Sequence, residues 1–309
     1  MIPDFPEFKK VGIEDNDDVE SYTRNFPYYS DFNFSSLWSW DISQCREVSI
    51  LNESLVVKFT DYETGEPFLS YLGMKNNTDT ALKLLEYSES IGLPPILQLM
   101  PEISIHDIDS PLLKISTDRA NYDYVYLIER LASLKGNEYK SKRQSAEHFA
   151  KAHINLKFEI RSLKDIETQI SIRAIAKSWR DRRDPVHDDQ SIVHEVDAIE
   201  NIIKLASVRD IFVGFVIVDG VATGFTVEEV VNKIFSISHF WKTAKNSRGE
   251  YEYMAREMAK YLDQREVTYW NWEQDLGIES LRASKSSYRP SDFLKKFTIV
   301  RSSPESTEV

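Results

Sequence analysis

The stretch VTYWNWEQDLGIESLRASKSSYRPSDFLKKFTIVR, residues 267–301, decides how the rest of the chain is read. It opens as a strand, because Val267, Thr268, Tyr269, Trp270 and Trp272 are β-branched or aromatic types that suit a half-buried pleated surface. The run breaks into the polar segment Glu273-Gln274-Asp275, and a helix is expected next, with Asp275 as N-cap, Glu279 in the early turns and Leu281 facing the core. Pro290 stops that helix, and Phe297-Thr298-Ile299-Val300 reads as a last strand. A loop at the carboxyl end of a strand that feeds a helix N-terminus is where α/β proteins hold anionic or polar ligands. Arg282, Lys285 and Arg289 follow at spacings of three and four, which places them on one helix face. Loop acids beside a basic stripe make a candidate site; the plainer reading is a capped helix with a solvated basic face.

Working outward, 309 residues with 41% hydrophobic and 12% aromatic content describe a folded globular chain, and two domains of about 150 residues are expected. The longest apolar run, residues 211–218, is far too short to cross a membrane as a helix. The opening residues MIPDFPEFKK lack a basic n-region and a long apolar h-region, so no secretory signal is read there. The single cysteine, Cys45, excludes an intramolecular disulfide and a cysteine-rich metal site, and the six histidines show no paired ligand spacing. Cytoplasmic residence, no metal and no tightly bound cofactor are therefore expected. A net charge of −12 argues against stable DNA binding. Acids crowd residues 1–31, whereas 130–151 and 279–301 are basic islands that suit a phosphorylated ligand or, more simply, a solvated face. The P-loop, the nucleophile elbow and the dinucleotide fingerprint are absent from the sequence.

In the first half, periodicity predicts a helix over 14–25, a hairpin turning at Asn52-Glu53-Ser54, a strand at 67–72, a helix over 78–91, a strand at 96–99, a helix beginning at Pro101, and a strand at 122–127. In the second, it predicts a strand at 156–160, helices over 165–179 and 194–207, and a hairpin of 211–218 and 221–227 about Asp219-Gly220, a type I′ signal. A strand at 233–240 and a helix over 250–262 complete the pattern. The polar, Pro-broken segment 180–189 is expected to cover a site. Glu228 and Glu229 read as exposed edge charges. His239, mid-strand, is read first as a satisfied core residue and second as a base.

Two motifs carry a family resemblance. Residues 275–290 run D-L-G-I-E-x-L-R-x-x-K-x-x-Y-x-P, and D-Y-V-Y-L at 123–127 precedes L-A-x-L-K-G-x-x-Y-x-x-K-R-x-x-x-x-x-F, which closes at Phe149. Both resemble the signatures of the phosphatidylglycerol lysyltransferase C-terminal domain family of bacterial proteins. The resemblance implies an α+β fold of two tandem GNAT (acetyltransferase-like) domains, each a mixed, mostly antiparallel sheet flanked by helices. The boundaries expected are 1–130, a connector at 131–153, and 154–309 carrying the site. It also implies an aminoacyl or acyl transferase with aminoacyl-tRNA as donor, through a transient tRNA contact, and an amine or hydroxyl acceptor. Asn271, Glu273, Asp275, Arg282, Lys285 and Tyr288 become substrate-binding candidates, with Lys285 and Arg282 on the donor's phosphate or ribose and Glu273 and Asp275 on a cationic amino group. Glu273, Asp275 and His239 are the candidates for catalysis.

Acyl-CoA enzymes of this fold place Q/R-x-x-G-x-G/A at a helix N-terminus to hold the diphosphate. The matching turn here is Lys245-Asn246-Ser247-Arg248-Gly249-Glu250-Tyr251, where Gly249 alone survives and Glu250 brings a negative charge. Arg248 and Gly249, with Lys135, Lys142 and Arg143, are the candidates for a CoA or tRNA donor. An acyl-CoA-dependent N-acyltransferase with a degenerate loop, and a non-catalytic ligand-binding protein of this fold, are the alternative functions.

Overall fold

Among the described residues, two seven-stranded mixed sheets carry the fold. The computed structural model describes residues 1–61, 64–182 and 190–302, without the side chains of Gln190 and Ser191. Most of the segment expected to cover a site, 183–189, lies outside the described residues.

The first half contributes β1 (Lys9–Lys10), α1 (Asn16–Thr23), α2 (Phe34–Ser39), β2 (Glu47–Leu51), β3 (Ser54–Thr60), β4 (Pro67–Leu72), α3 (Asn77–Ser90), β5 (Ile96–Pro101) and β6 (Leu113–Thr117). Asn52 and Glu53 both take positive φ, +50° and +63°, the backbone of a tight turn whose twist matches a hairpin. After Pro101 the chain makes only a 3-10 turn, Glu102–Ser104, and then strand β6, so the helix expected from Pro101 is replaced by sheet. Val56, Leu69, Tyr71, Leu84, Leu85, Leu97 and Ile299 form the buried core of this unit.

Next come β7 (Asp123–Leu127), α4 (Ile128–Ser133), α5 (Lys140–Ala152), β8 (Leu156–Ser162), α6 (Ile166–Asp181), α7 (Gln190–Lys204), β9 (Ile211–Val218), β10 (Val221–Asn232), β11 (Phe235–Thr243), α8 (Glu250–Gln264), β12 (Tyr269–Asn271), α9 (Glu279–Ser286), β13 (Asp292–Leu294) and β14 (Lys296–Arg301). Asp219 and Gly220 have φ of +51° and +82°, as the β9–β10 hairpin requires. Helix α8 buries Ala255, Met258, Ala259 and Leu262, the spacing of one helical stripe, against Tyr124, Tyr126 and Trp270 of the sheet and Trp272 just beyond it, while Met254 packs with Phe149 and Val216.

Both sheets follow one plan, an antiparallel run and then a parallel step across a helix. In the first, β2–β3–β4 is antiparallel and β4–α3–β5 is the parallel step; in the second, β8 to β11 are antiparallel and β11–α8–β12 is the step. This is the GNAT element order, and α+β is the fold class. The next strand in each sheet comes from the other half of the chain. The orders are β1-β2-β3-β4-β5-β14-β6 and β13-β7-β12-β11-β10-β9-β8. The compact units are accordingly Met1–Tyr122 with the segment from Leu294 onward, and Asp123–Phe293. These bounds differ from 1–130 and 154–309 because backbone pairing, which periodicity does not reveal, draws β14 onto β5 and β6 and β7 onto β12. The expected connector, 131–153, is helical at both ends and packs as α4 and α5 within the second unit. Among the described residues, no helix is long and apolar enough to cross a membrane.

Candidate functional site

In the second unit, parallel pairing of β11 with β12 covers Phe235↔Tyr269, Ser236↔Trp270 and Ile237↔Asn271 and then stops, although β11 runs on to Thr243. Beyond Asn271 the chain stays along β7, with which all of β12 already pairs, and the Trp272 N–H donates to the Tyr124 carbonyl at 2.9 Å. Register with β10 also shifts here: Val227 opposes Phe240 while Glu228 opposes Ser238, leaving His239 as an extra residue in β11. A bulge of this kind re-aims side chains and is common beside functional sites.

Alternation then sorts the polar residues onto two faces. On the face of α8, Glu228 is fully buried and accepts hydrogen bonds from the Thr226 hydroxyl, from the Ser238 hydroxyl at 2.7 Å and from the Trp270 indole N–H at 2.8 Å. Ser238 in turn accepts from the Trp241 indole N–H. Burial pushes the Glu228 carboxyl up to about 7, against the downward pull of those donors and of nearby His239. On the opposite face, Glu229 pairs with Arg209 and lies 3.2 Å from His239 Nε2, while His239 Nδ1 lies 3.4 Å from Glu273 Oε1. Glu228 and Glu229 are thus interior groups rather than exposed edge charges. The signal that could have revealed them is two adjacent acids inside an otherwise apolar strand, which must point to opposite faces.

The raised carboxyl has a measurable consequence. Between pH 4.5 and about 7 the folded protein holds a proton on Glu228 that the unfolded chain has released, so stability falls as pH rises through that window. The loss reaches about 3 kcal/mol above pH 7. Urea unfolding at pH 5 and pH 8 should show that drop in the native protein and lack it in Glu228→Gln.

The residues after β12 organise a tight loop. Asn271 accepts the Glu273 N–H at 2.7 Å and donates to Asp123 Oδ2 at 3.1 Å. Asp275 is fully buried and receives both Nε and Nη2 of Arg282 at 2.8 Å, the Tyr124 hydroxyl at 2.6 Å and the Gly277 N–H at 2.9 Å. Burial alone would raise this carboxyl, but those bonds more than offset it and hold it at about 2. Asp275 is therefore a hub and not the expected N-cap, a place taken by Ile278 without a capping side chain. Lys285 donates to the Trp272 and Gln274 carbonyls and sits 5.8 Å from the Tyr124 ring centre. Tyr288 is buried edge-on to Trp272, and Lys142 stands 4.1 Å over its ring. Helix α9 ends at Ser286, so Arg289 leaves the basic stripe and sits exposed at φ +56°.

The α8 N-terminus is filled from within. Gly249 takes φ +86°, and a Cβ there would come 2.2 Å from the Ser145 carbonyl oxygen of α5. Glu250 is buried, accepts from the Thr223 hydroxyl at 2.6 Å and from the Ser247 N–H at 3.3 Å, and is raised by burial. Arg248 and Lys135 are exposed; Arg143 caps the turn after α4 by donating to the Leu134 and Gly136 carbonyls, and Lys142 pairs with Glu252 at 3.3 Å. Gly249→Ala combines positive φ with a backbone clash and should cost about 3 kcal/mol in urea unfolding.

Of the expected site residues, the structure brings His239 together with Glu273, and Asp275 with Arg282. It places Asn271 and Lys285 as supports of the loop and Tyr288 in the core. The depression lined by Glu20, Thr23, Tyr28, Tyr29, Asn33 and Leu72 belongs to the first unit and includes none of them.

The family model of the phosphatidylglycerol lysyltransferase C-terminal region matches residues 23–300. The chain belongs to this family. Among solved structures, a conserved Bacteroides thetaiotaomicron protein of unknown function is similar at 23% identity and a TM-score of 0.76, covering 98% of this chain and 100% of that one. The C-terminal domain of an Agrobacterium fabrum protein named as a lysylphosphatidylglycerol synthetase is similar at 12% identity and a TM-score of 0.63, over 93% and 90%. L-PGS from Bacillus licheniformis is similar at 10% identity and a TM-score of 0.62, over 97% and 94%. At these identities the likeness is one of fold. None of the curated proteins is similar enough in sequence to match the chain.

Proposed function

We propose that this family member is an aminoacyltransferase that takes its acyl group from an aminoacyl ester, aminoacyl-tRNA, and passes it to an amine or hydroxyl. Family membership supports group transfer, and the closed N-terminus of α8 supports the choice of donor. A diphosphate bound there needs free backbone N–H groups and room beside them. In this chain the Glu250 carboxylate accepts the Ser247 N–H, and the α5 backbone lies against Gly249. A second negative charge at that place would be repelled by the first.

The reaction asks little of any single side chain. An acceptor held against an ester carbonyl gains most from positioning, and the parting of β11 from β12 beyond Asn271 is the place in this sheet where an ester could lie against strand backbone. Buried acids around the loop after β12 suit the ammonium of an aminoacyl group. Incubation with charged tRNA carrying labelled amino acids, beside a panel of acyl-CoA thioesters, tests the proposal. The expected result is consumption of charged tRNA with no thermal stabilisation by thioesters. Turnover of a thioester would favour the acyl-CoA reading instead, and silence with every donor would favour a binding protein.

A further inference from the structure

Arg209, Glu229, His239 and Glu273 form a continuous line on the sheet face opposite α8, and Glu273 is its most exposed member. Side-chain exposure is 4% for Glu229, 1% for His239 and 15% for Glu273, so Glu273 is the end of the line that a substrate can reach. Burying several ionisable groups is costly unless each is paired, and here each carboxylate has a cationic or imidazole neighbour. Glu273 is also held in an unusual backbone state. Its φ is +57°, rare for a residue with a long side chain, and it is locked there by the Asn271 side chain on its N–H and by the Tyr124 N–H on its carbonyl, at 3.1 Å. It lies two residues beyond Asn271, where the pairing of β11 with β12 ends. The other acids near that point are poorly placed for proton transfer to a substrate. Asp275 is fully buried and occupied by Arg282, Tyr124 and Gly277, and Glu228 is fully buried on the other face.

We propose that Glu273 is the catalytic proton acceptor of the transfer, and that His239, backed by Glu229 and Arg209, is the positioning residue that keeps it aimed. This rests on the transferase reading above. As the acceptor nitrogen or oxygen attacks the ester carbonyl carbon, its proton moves to the Glu273 carboxylate and the new C–N or C–O bond forms. When the carbonyl re-forms, the bond to the ribose oxygen breaks, and Glu273 returns the proton to that leaving oxygen. Asn271, one residue before Trp272, sets the loop through its bonds to Glu273 and Asp123 and is a positioning residue as well.

The test compares the full chain with Glu273→Gln and His239→Asn in labelled transfer from charged tRNA, with kcat and donor KM measured separately and melting curves recorded for each. Loss of a general base predicts that Glu273→Gln lowers kcat by about 100-fold or more. Donor KM should stay within about threefold, and His239→Asn should show the same split to a smaller degree. Histidine ring 15N spectra give a readout that needs no turnover: Glu273→Gln should move the His239 Nδ1 resonance. A native protein that consumes charged tRNA while Glu273→Gln matches its kcat overturns the proposal and leaves the transferase reading standing. A native protein that consumes no donor overturns both. An unmoved Nδ1 resonance overturns the pairing itself.

Discussion

A chain that ends at Phe293 should fail to form its first sheet, although the residues removed come from the far end of the sequence. Strand β14 lies between β5 and β6, pairing Phe297 with Met100 on one side and Thr298 with Ser116 on the other. Its loss exposes two strand edges at once, with their backbone groups unpaired. Ile299 is fully buried in the core of that unit, and buried Lys296 pairs with Asp31. Removing a buried aliphatic side chain costs about 2–5 kcal/mol, and taking the Lys296 ammonium away from Asp31 adds to that. Together with the lost ladder, this is comparable to the 5–15 kcal/mol that holds a typical domain together. The expected outcome is a truncated protein that is rapidly proteolysed across residues 1–122, while an otherwise identical chain ending at Ser302 resists. A peptide of residues 294–302 supplied in trans should restore part of the protection. Equal protease resistance of the two chains would refute the interlocked sheet.

The second large effect is expected at Asp275. Asp275→Ala removes the acceptor of three donors at once and leaves the Tyr124 hydroxyl buried without that partner. The Arg282 side chain is 40% exposed and can turn to water, which limits the loss on that side. The net cost should be about 2–3 kcal/mol, read from urea unfolding at neutral pH. The pH dependence has a definite sign. The carboxyl is depressed from 3.8 to about 2 by folding, so its contribution is complete above pH 4 and is lost as pH falls towards 2. The gap between native protein and Asp275→Asn should therefore narrow between pH 4 and pH 2, and a gap constant over that range would contradict the hub. Because Asp275 anchors the loop that carries Glu273, the substitution should also lower any transferase activity more than it lowers stability.

Much of this was legible in the amino-acid sequence. Alternation and helical spacing located most of the strands and helices, and Asp219-Gly220 marked its hairpin, because local backbone preference and one-sided burial leave a periodic trace. The motifs at 123–149 and 275–290 pointed to the family that the match over residues 23–300 establishes. The loop Glu273-Gln274-Asp275 was singled out, and Glu273 does meet His239. The role of each polar residue was less legible. Arg282 and Lys285 have the spacing of a phosphate-binding stripe, yet one is forked onto Asp275 and the other donates to loop carbonyls. A cation's spacing along a helix records which face it occupies and carries nothing about the acceptor that waits there.

By itself, then, the sequence determined most of the element order, the α+β class and the family, all of which depend on local pattern and motif, while the segment after Pro101 read as helix and folded as sheet. Only the tertiary structure decided which half of the chain completes each sheet, which of the adjacent acids Glu228 and Glu229 faces α8, and that the α8 N-terminus is filled by Glu250. The physical reason is common to all three. Strand partners and buried charge pairs join residues far apart in the chain, and their energies depend on distance and desolvation, which no one-dimensional pattern encodes.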